Sequence, residues 1–137
     1  MAAGQKFQQF VEDLTKKVHN LSTDVLKIML TNTAPSVANL VKTDITEIAA
    51  GNGYTAGGYT LAGQSSEQVA GVLTFSGNNV VATASGGAMA AWRYAVLYND
   101  TAALKQLISF WDRGASVTLN SGESETLNTG TSLFTLT

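Results

Sequence analysis

The sequence predicts a mainly β protein (α+β): an antiparallel β-sandwich or jelly-roll-like barrel preceded by an N-terminal amphipathic helix. Three observations predict it. The runs Arg93-Tyr94-Ala95-Val96-Leu97-Tyr98-Asn99-Asp100 and Leu107-Ile108-Ser109-Phe110-Trp111-Asp112-Arg113-Gly114 alternate bulky with small or polar residues at period two and end in turn formers. From Tyr59 onward such runs recur between short turn-rich pieces, a spacing typical of sandwiches and barrels. Only the N-terminal part carries helical spacing. The 137 residues fit one domain, 1–137, with a helix over 4–21 and a β-rich sandwich over 25–137.

In the helix, Phe7, Phe10, Val11, Leu14, Val18 and Leu21 recur every three or four residues, with Gln5, Lys6, Glu12, Asp13, Lys16 and Lys17 on the remaining face. A polar face bearing both signs of charge favours docking of the apolar stripe on a sheet over insertion at a membrane surface. Ser22-Thr23-Asp24 breaks the helix, and residues 25–30 continue as a strand apolar enough on both sides to lie inside a sheet. The only proline, Pro35, sits in the loop that follows. Residues 41–48 read as a short helical turn, capped by Asp44 or Thr43 with Ile45 and Ile48 inward, or as an irregular strand. Four glycines between Gly51 and Gly58 mark a tight, exposed bend. Further strands are expected at 59–64, 69–75, 79–84, 88–98, 107–113, 116–119 and 133–136. The longest, 88–98, is expected at the centre of a sheet, with Trp92, Tyr94, Val96 and Tyr98 on one face and Arg93, Ala95 and Leu97 on the other.

Composition limits the classes of function. Charged residues make up only 13% of the chain, about half the usual share of roughly 25%. A surface of Thr, Ser, Asn, Gln and Gly loses little side-chain entropy when a partner covers it, which favours assembly. A net charge of −2 offers no basic field for nucleic acid or anionic lipid. The absence of cysteine excludes disulfides, thiolate catalysis and sulfur-ligated metal. No apolar run approaches the roughly 20 residues of a membrane span, and the start MAAGQKFQQF lacks a secretory hydrophobic segment, so residence inside a cell is the expectation.

Little in the chain points to catalysis. The single histidine, His19, is placed near the C-terminal end of the helix, where its charge suits the dipole. The glycine spacing G-x-G-x-x-x-G-G departs from the phosphate-binding G-x-G-x-x-G, and no Lys-Ser/Thr pair follows. Asp100, Asp112, Glu123 and Glu125 are the carboxylates near strand ends that acid–base sugar chemistry would need, but nothing fixes their separation, and Asp112 next to Arg113 suggests a partly exposed ion pair. No calcium loop or nucleophile elbow is present. The expectation is no enzyme activity, no cofactor and no metal. Among the aromatic residues, period two places Ile108, Phe110 and Asp112 on one face and Leu107, Ser109, Trp111 and Arg113 on the other. The aromatic rings are expected chiefly to fill the sandwich; in the sharper alternative Tyr98 and Trp111 protrude to anchor a partner or stack on sugars, with Trp111 the better interface candidate.

The helix K-F-Q-Q-F-V-E-D-L-T-K-K-V-H-N-L, then V-L-K-I-M-L-T-N-T-A-P, D-I-T-E-I-A-A-G-N-G-Y-T-A-G-G, F-S-G, A-T-A-S-G-G, R-Y-A-V-L-Y-N-D-T and S-F-W-D-R-G-A-S-V-T-L-N-S-G-E together resemble a family of small virion structural proteins of tailed bacteriophages and prophages. The resemblance spans roughly 6–123, and the chain departs from the family pattern at Ala88-Met89-Ala90-Ala91 and over 126–132. It implies a particle component. Taken with composition, it leads to the expectation of a capsid decoration or cement protein on the outer shell, made in the host cytoplasm. Its partners would be the major capsid protein and copies of itself, with no direct nucleic-acid or membrane contact. The alternatives are a tail or fibre component that binds a receptor, and a carbohydrate-binding or carbohydrate-processing β-sandwich domain. Contacts are expected from residues 2–7, the 51–58 loop and the turn at 99–101, with Phe7, Gly53, Tyr54, Tyr98, Asn99, Asp100 and Trp111 as partner-binding residues.

Overall fold

The computed structural model describes residues 4–127 and 132–137. Its strands, numbered in chain order, are β1 (Gln5–Lys6), β2 (Leu26–Thr31), β3 (Tyr59–Thr60), β4 (Ser65–Val69), β5 (Val72–Ser76), β6 (Val80–Thr83), β7 (Trp92–Asn99), β8 (Leu107–Val117), β9 (Ser124–Leu127) and β10 (Phe134–Leu136), with one helix, α1 (Gln8–Thr15). Five strands form a central sheet in the order β1-β8-β7-β2-β3, three form β10-β5-β4, and β6 pairs with β9. All these pairings are antiparallel. The sheets stack as an open, sandwich-like arrangement, so the expected sandwich holds in this coarse form and a closed barrel does not.

Alternation along β2 explains how the central sheet is covered on both faces. Leu26, Ile28 and Leu30 join the larger core, which also takes Phe75 of β5, Ala82 of β6, Leu127 of β9, Phe134 of β10 and Phe10 of α1. Met29 points the other way, into a smaller core with Phe7, Ile45, Val96, Tyr98, Leu107 and Phe110. As expected from its sequence, β7 is central, flanked by β8 and β2.

Three expectations need correction. The helix is about half the expected length: Gln5–Lys6 form a short edge strand, and α1 stops at Thr15. Lys17 takes a left-handed conformation (φ 61°), and the Val18 N–H bonds back to the Asp13 carbonyl at 3.0 Å, as does Lys17 N–H to Leu14 at 3.4 Å. This is a Schellman ending, and it turns 18–24 back towards β7. Leu21 still packs on the larger core and Val18 is half-buried, although the chain is no longer helical there.

The second correction concerns the faces of β7 and β8. Their register shifts between Trp92 and Tyr94 and again between Leu97 and Tyr98. An extra residue in one strand reverses the parity beyond it. Trp92 therefore shares the larger core with Ala95 and Leu97, and Trp111 shares it with Ile108, whereas Leu107 and Phe110 lie in the smaller one. Trp111 is 2% exposed, so of the two readings of its ring core filling holds and protrusion does not.

The third concerns the strand list. The expected strand 69–75 is a hairpin, β4 and β5, joined by Ala70 and Gly71 with φ of 51° and 83°. Both central residues have the positive φ of a tight two-residue hairpin turn. The expected strands 107–113 and 116–119 are one strand, β8, bent at Gly114. The 41–48 segment does contain a helical turn, a 3-10 turn at Lys42–Asp44. Asp44 caps it from its end: its carboxylate accepts the backbone N–H groups of Leu40 (2.9 Å) and Val41 (3.1 Å). Ile45 is buried and Ile48 packs on the larger core, as expected.

Candidate functional site

At the end of β7 the second face of the central sheet gathers Lys27, Lys42, Glu47, Tyr98, Asp100 and Lys105. Glu47 sits at its centre. One of its oxygens accepts the Tyr54 hydroxyl (2.8 Å) and the Gly57 N–H (2.5 Å), and the other meets Lys42 Nζ at 3.1 Å. Tyr98 donates its hydroxyl to the Gly57 carbonyl at 2.6 Å, and Lys42 lies over the Tyr98 ring. Asp100 is held by Lys105 (2.6 Å) and Lys27 (3.3 Å). The result is a strut. It ties the 51–58 loop to the sheet, because every acidic oxygen that faces the loop already has a donor from the same chain.

The electrostatics fit such a strut. The Lys105 ammonium, with Lys27 behind it, holds the Asp100 carboxyl below its usual range. The Arg93 guanidinium and the Gly114 N–H do the same for Asp112. Burial pushes the Tyr98 and Tyr54 hydroxyls upward, so both remain protonated donors. A depressed carboxyl stabilises the fold fully above its unfolded value near 3.8 and loses that contribution as pH falls through the lower, folded value. Urea midpoints should therefore show no loss from Asp100 or Asp112 between neutral pH and about pH 4, and a loss below it.

Glu47→Gln keeps one oxygen for the Tyr54 and Gly57 donors but removes the ion pair with Lys42 and sets an amide NH2 against its ammonium. It should lower stability by about 1–3 kcal/mol, read as a urea midpoint shift at constant slope.

The structure separates the sequence-derived candidates. Phe7, Tyr54, Tyr98, Asn99 and Trp111 are buried in the chain's own cores or polar clusters, Asp100 is partly exposed, and Gly53 is exposed. Of the first contact segment, Gly4 to Phe7 edges the central sheet, and residues 2 and 3 lie outside the described residues. The glycine loop is less of an open bend than its composition suggests. Asn52 and Gly53 form a tight turn with φ of 52° and 98°, closed by Gly51–Tyr54 hydrogen bonds, and Asn52 reaches the Ala88 carbonyl at 2.8 Å. A Cβ on Gly53 would overlap the Thr83 carbonyl oxygen, so this glycine serves close backbone approach.

The carboxylates do not converge as sugar hydrolysis requires. Asp112 pairs with Arg93 across the strands (2.8 Å) rather than with its neighbour Arg113, because successive residues on a strand point to opposite faces. Arg113 instead joins β8 to β9 through Glu125 at 2.7 Å. No group of three or more metal-ligating side chains occurs among the described residues, and no helix there is long and apolar enough to cross a membrane.

Sequence reasoning missed the exposed apolar surface beside this strut. Residues 41–43 and 103–105 line an open depression of about 450 Å3, with Leu104 68% exposed and Leu40 50% exposed at its margin. The two segments are joined by backbone bonds from Lys42 N–H to Lys105 and from Leu107 N–H to Leu40. The ammonium groups of Lys42 and Lys105 are taken up by Glu47 and Asp100, so the depression presents its apolar lining. A second exposed feature, polar except for Val69, is β4, the outer strand of its sheet, all five residues of which are exposed.

No protein family, curated protein or solved structure matches this chain.

Proposed function

We propose that the protein is a non-enzymatic structural subunit of a tailed-bacteriophage virion, a decoration or cement protein that lies on the outer shell and strengthens the head. The depression flanked by Leu40 and Leu104 carries this reading. Two exposed leucines on a chain poor in charge form a surface suited to burial against another protein, next to lysines whose charge is already neutralised internally. The sequence resemblance supplies the particle, and repetition over a symmetric shell supplies the affinity that one small contact lacks. The partners are the major capsid protein and neighbouring copies of this chain.

Labelled antibody on purified particles tests the placement. Label spread over the head supports it; label at the tail tip replaces it with a tail or fibre component, and particles without label overturn it. Changing Leu40 and Leu104 together to Ser should leave the free chain's stability within about 0.5 kcal/mol, because both are exposed. The same change should weaken attachment to the shell by about 1 kcal/mol or more per residue, measured by co-sedimentation. The carbohydrate-enzyme alternative predicts that Asp100→Asn with Asp112→Asn abolishes a glycan cleavage present in the parent protein.

A further inference from the structure

A second polar cluster joins the N-terminal segment to the same end of β7, at Asn99 between Tyr98 and Asp100. Asn99 is wholly buried, and Asp13 and His19 are 6% and 7% exposed. The Asn99 amide nitrogen donates to Asp24 Oδ2 at 2.6 Å and lies 3.0 Å from His19 Nδ1. The Asn99 oxygen accepts the backbone N–H groups of Thr101 (2.9 Å) and Ala102 (3.1 Å), and this fixes which end of the amide faces the imidazole. His19 Nδ1 must therefore accept, so the ring is neutral and carries its hydrogen on Nε2. Facing the ring are Phe10 and Asp13 from α1, Asp24 from the turn and Asn99 from β7; Asp13 and Asp24 are the charged groups among them. Burial outweighs the attraction of the two acids and holds the imidazole below the ordinary 6.5.

We propose that His19, Asn99 and Asp24 form a proton-operated clasp, which holds residues 18–24 against the turn at 99–105 while His19 is neutral and loosens that hold when Nδ1 takes a proton from solvent. A proton on Nδ1 sets one donor against another, the Asn99 amide nitrogen. Rotating the amide relieves that conflict only by withdrawing the acceptor from Thr101 and Ala102 and turning its oxygen towards the Asp24 carboxylate. Either way the joint loosens at Asn99, losing its bond to His19 or its bonds to Thr101 and Ala102, while Val25 stays bonded to Asp100 and Thr101. The turn also carries Leu104 of the exposed apolar surface, but Lys105 stays bonded to Lys42 and Asp100, so the loosening falls on its near end at Thr101 and Ala102. The clasp itself stands on the buried geometry, whatever that surface binds.

His19 is the only histidine, so a single imidazole appears in the nuclear magnetic resonance spectrum. The expected result at neutral pH is the Nε2–H tautomer. On acidification, His19 should titrate below 6.5, and amide exchange at Thr101 and Ala102, taken relative to the intrinsic base-catalysed rate at each pH, should rise by up to about tenfold per pH unit over the same interval. His19→Gln offers Asn99 an amide oxygen in place of Nδ1 and should abolish that rise. An Nδ1–H tautomer, titration of His19 without change at Thr101 and Ala102, or persistence of the rise in His19→Gln overturns the proposal. The titration of the parent protein decides alone if the variant does not fold.

Discussion

Trp111→Ala should destabilise the free chain by about 3–5 kcal/mol, a large part of the roughly 5–15 kcal/mol that holds a domain of this kind together. The indole is 2% exposed and sits in the core that joins all three sheets, so truncation leaves a cavity that neighbours on several strands would have to fill together. Gly4 lies against it so closely that a Cβ there would come within 2.6 Å of Trp111 Nε1. Denaturant unfolding of the isolated protein measures the loss. A Trp111 that served as a partner anchor would instead leave the free chain's stability unchanged and weaken only binding.

The second large effect is expected at Gly58. Its φ is +85°, and a Cβ would overlap the Ile28 carbonyl oxygen in the middle of β2. Backbone cannot give way there without forcing the chain at 58–61 off β2 and opening the β2–β3 pairing, so Gly58→Ala should cost at least about 4 kcal/mol. Gly86→Ala separates the two contributions. That glycine has φ of +76° and nothing within 4 Å of an added Cβ, so the backbone conformation alone should cost about 1–2 kcal/mol. Equal losses at the two positions would show that close approach to β2 is not what requires Gly58.

Both predictions bear on how much of the molecule its sequence reveals. Strands β2, β7 and β8 are legible because each is a run of mostly apolar residues bounded by turn formers and buried on both faces of the sheet, as is the central position of β7. The side that each aromatic faces is not legible, because the register shifts between β7 and β8 are a property of the pairing and leave no mark in either strand alone. The end of α1 is hidden for a related reason. Lys17 adopts the left-handed conformation that usually announces itself as Gly or Asn. β4, Ser65–Val69, lacks an apolar face because it buries none, so it reads as a loop.

The candidate surface was harder to foresee. Leu40 and Leu104 are 64 positions apart in sequence, and each alone reads as an ordinary core residue; only the pairing of 40–43 with 105–107 brings their segments together. Conversely, Tyr54, Tyr98 and Asn99 were singled out for their chemistry, and that chemistry is used internally: Tyr54 donates to Glu47, Tyr98 to Gly57, and Asn99 to Asp24. A polar group buried without a partner is costly, so such side chains near a loop are as readily fixed by their own chain as offered to another.

The most direct measurement of the central claim is to mix the purified protein with phage heads that lack it and follow the temperature at which those heads release their DNA. The account predicts saturable binding in many copies per head and a higher release temperature, both diminished when Leu40 and Leu104 are changed to Ser. Heads that bind none of the protein and release their DNA at an unchanged temperature would contradict it.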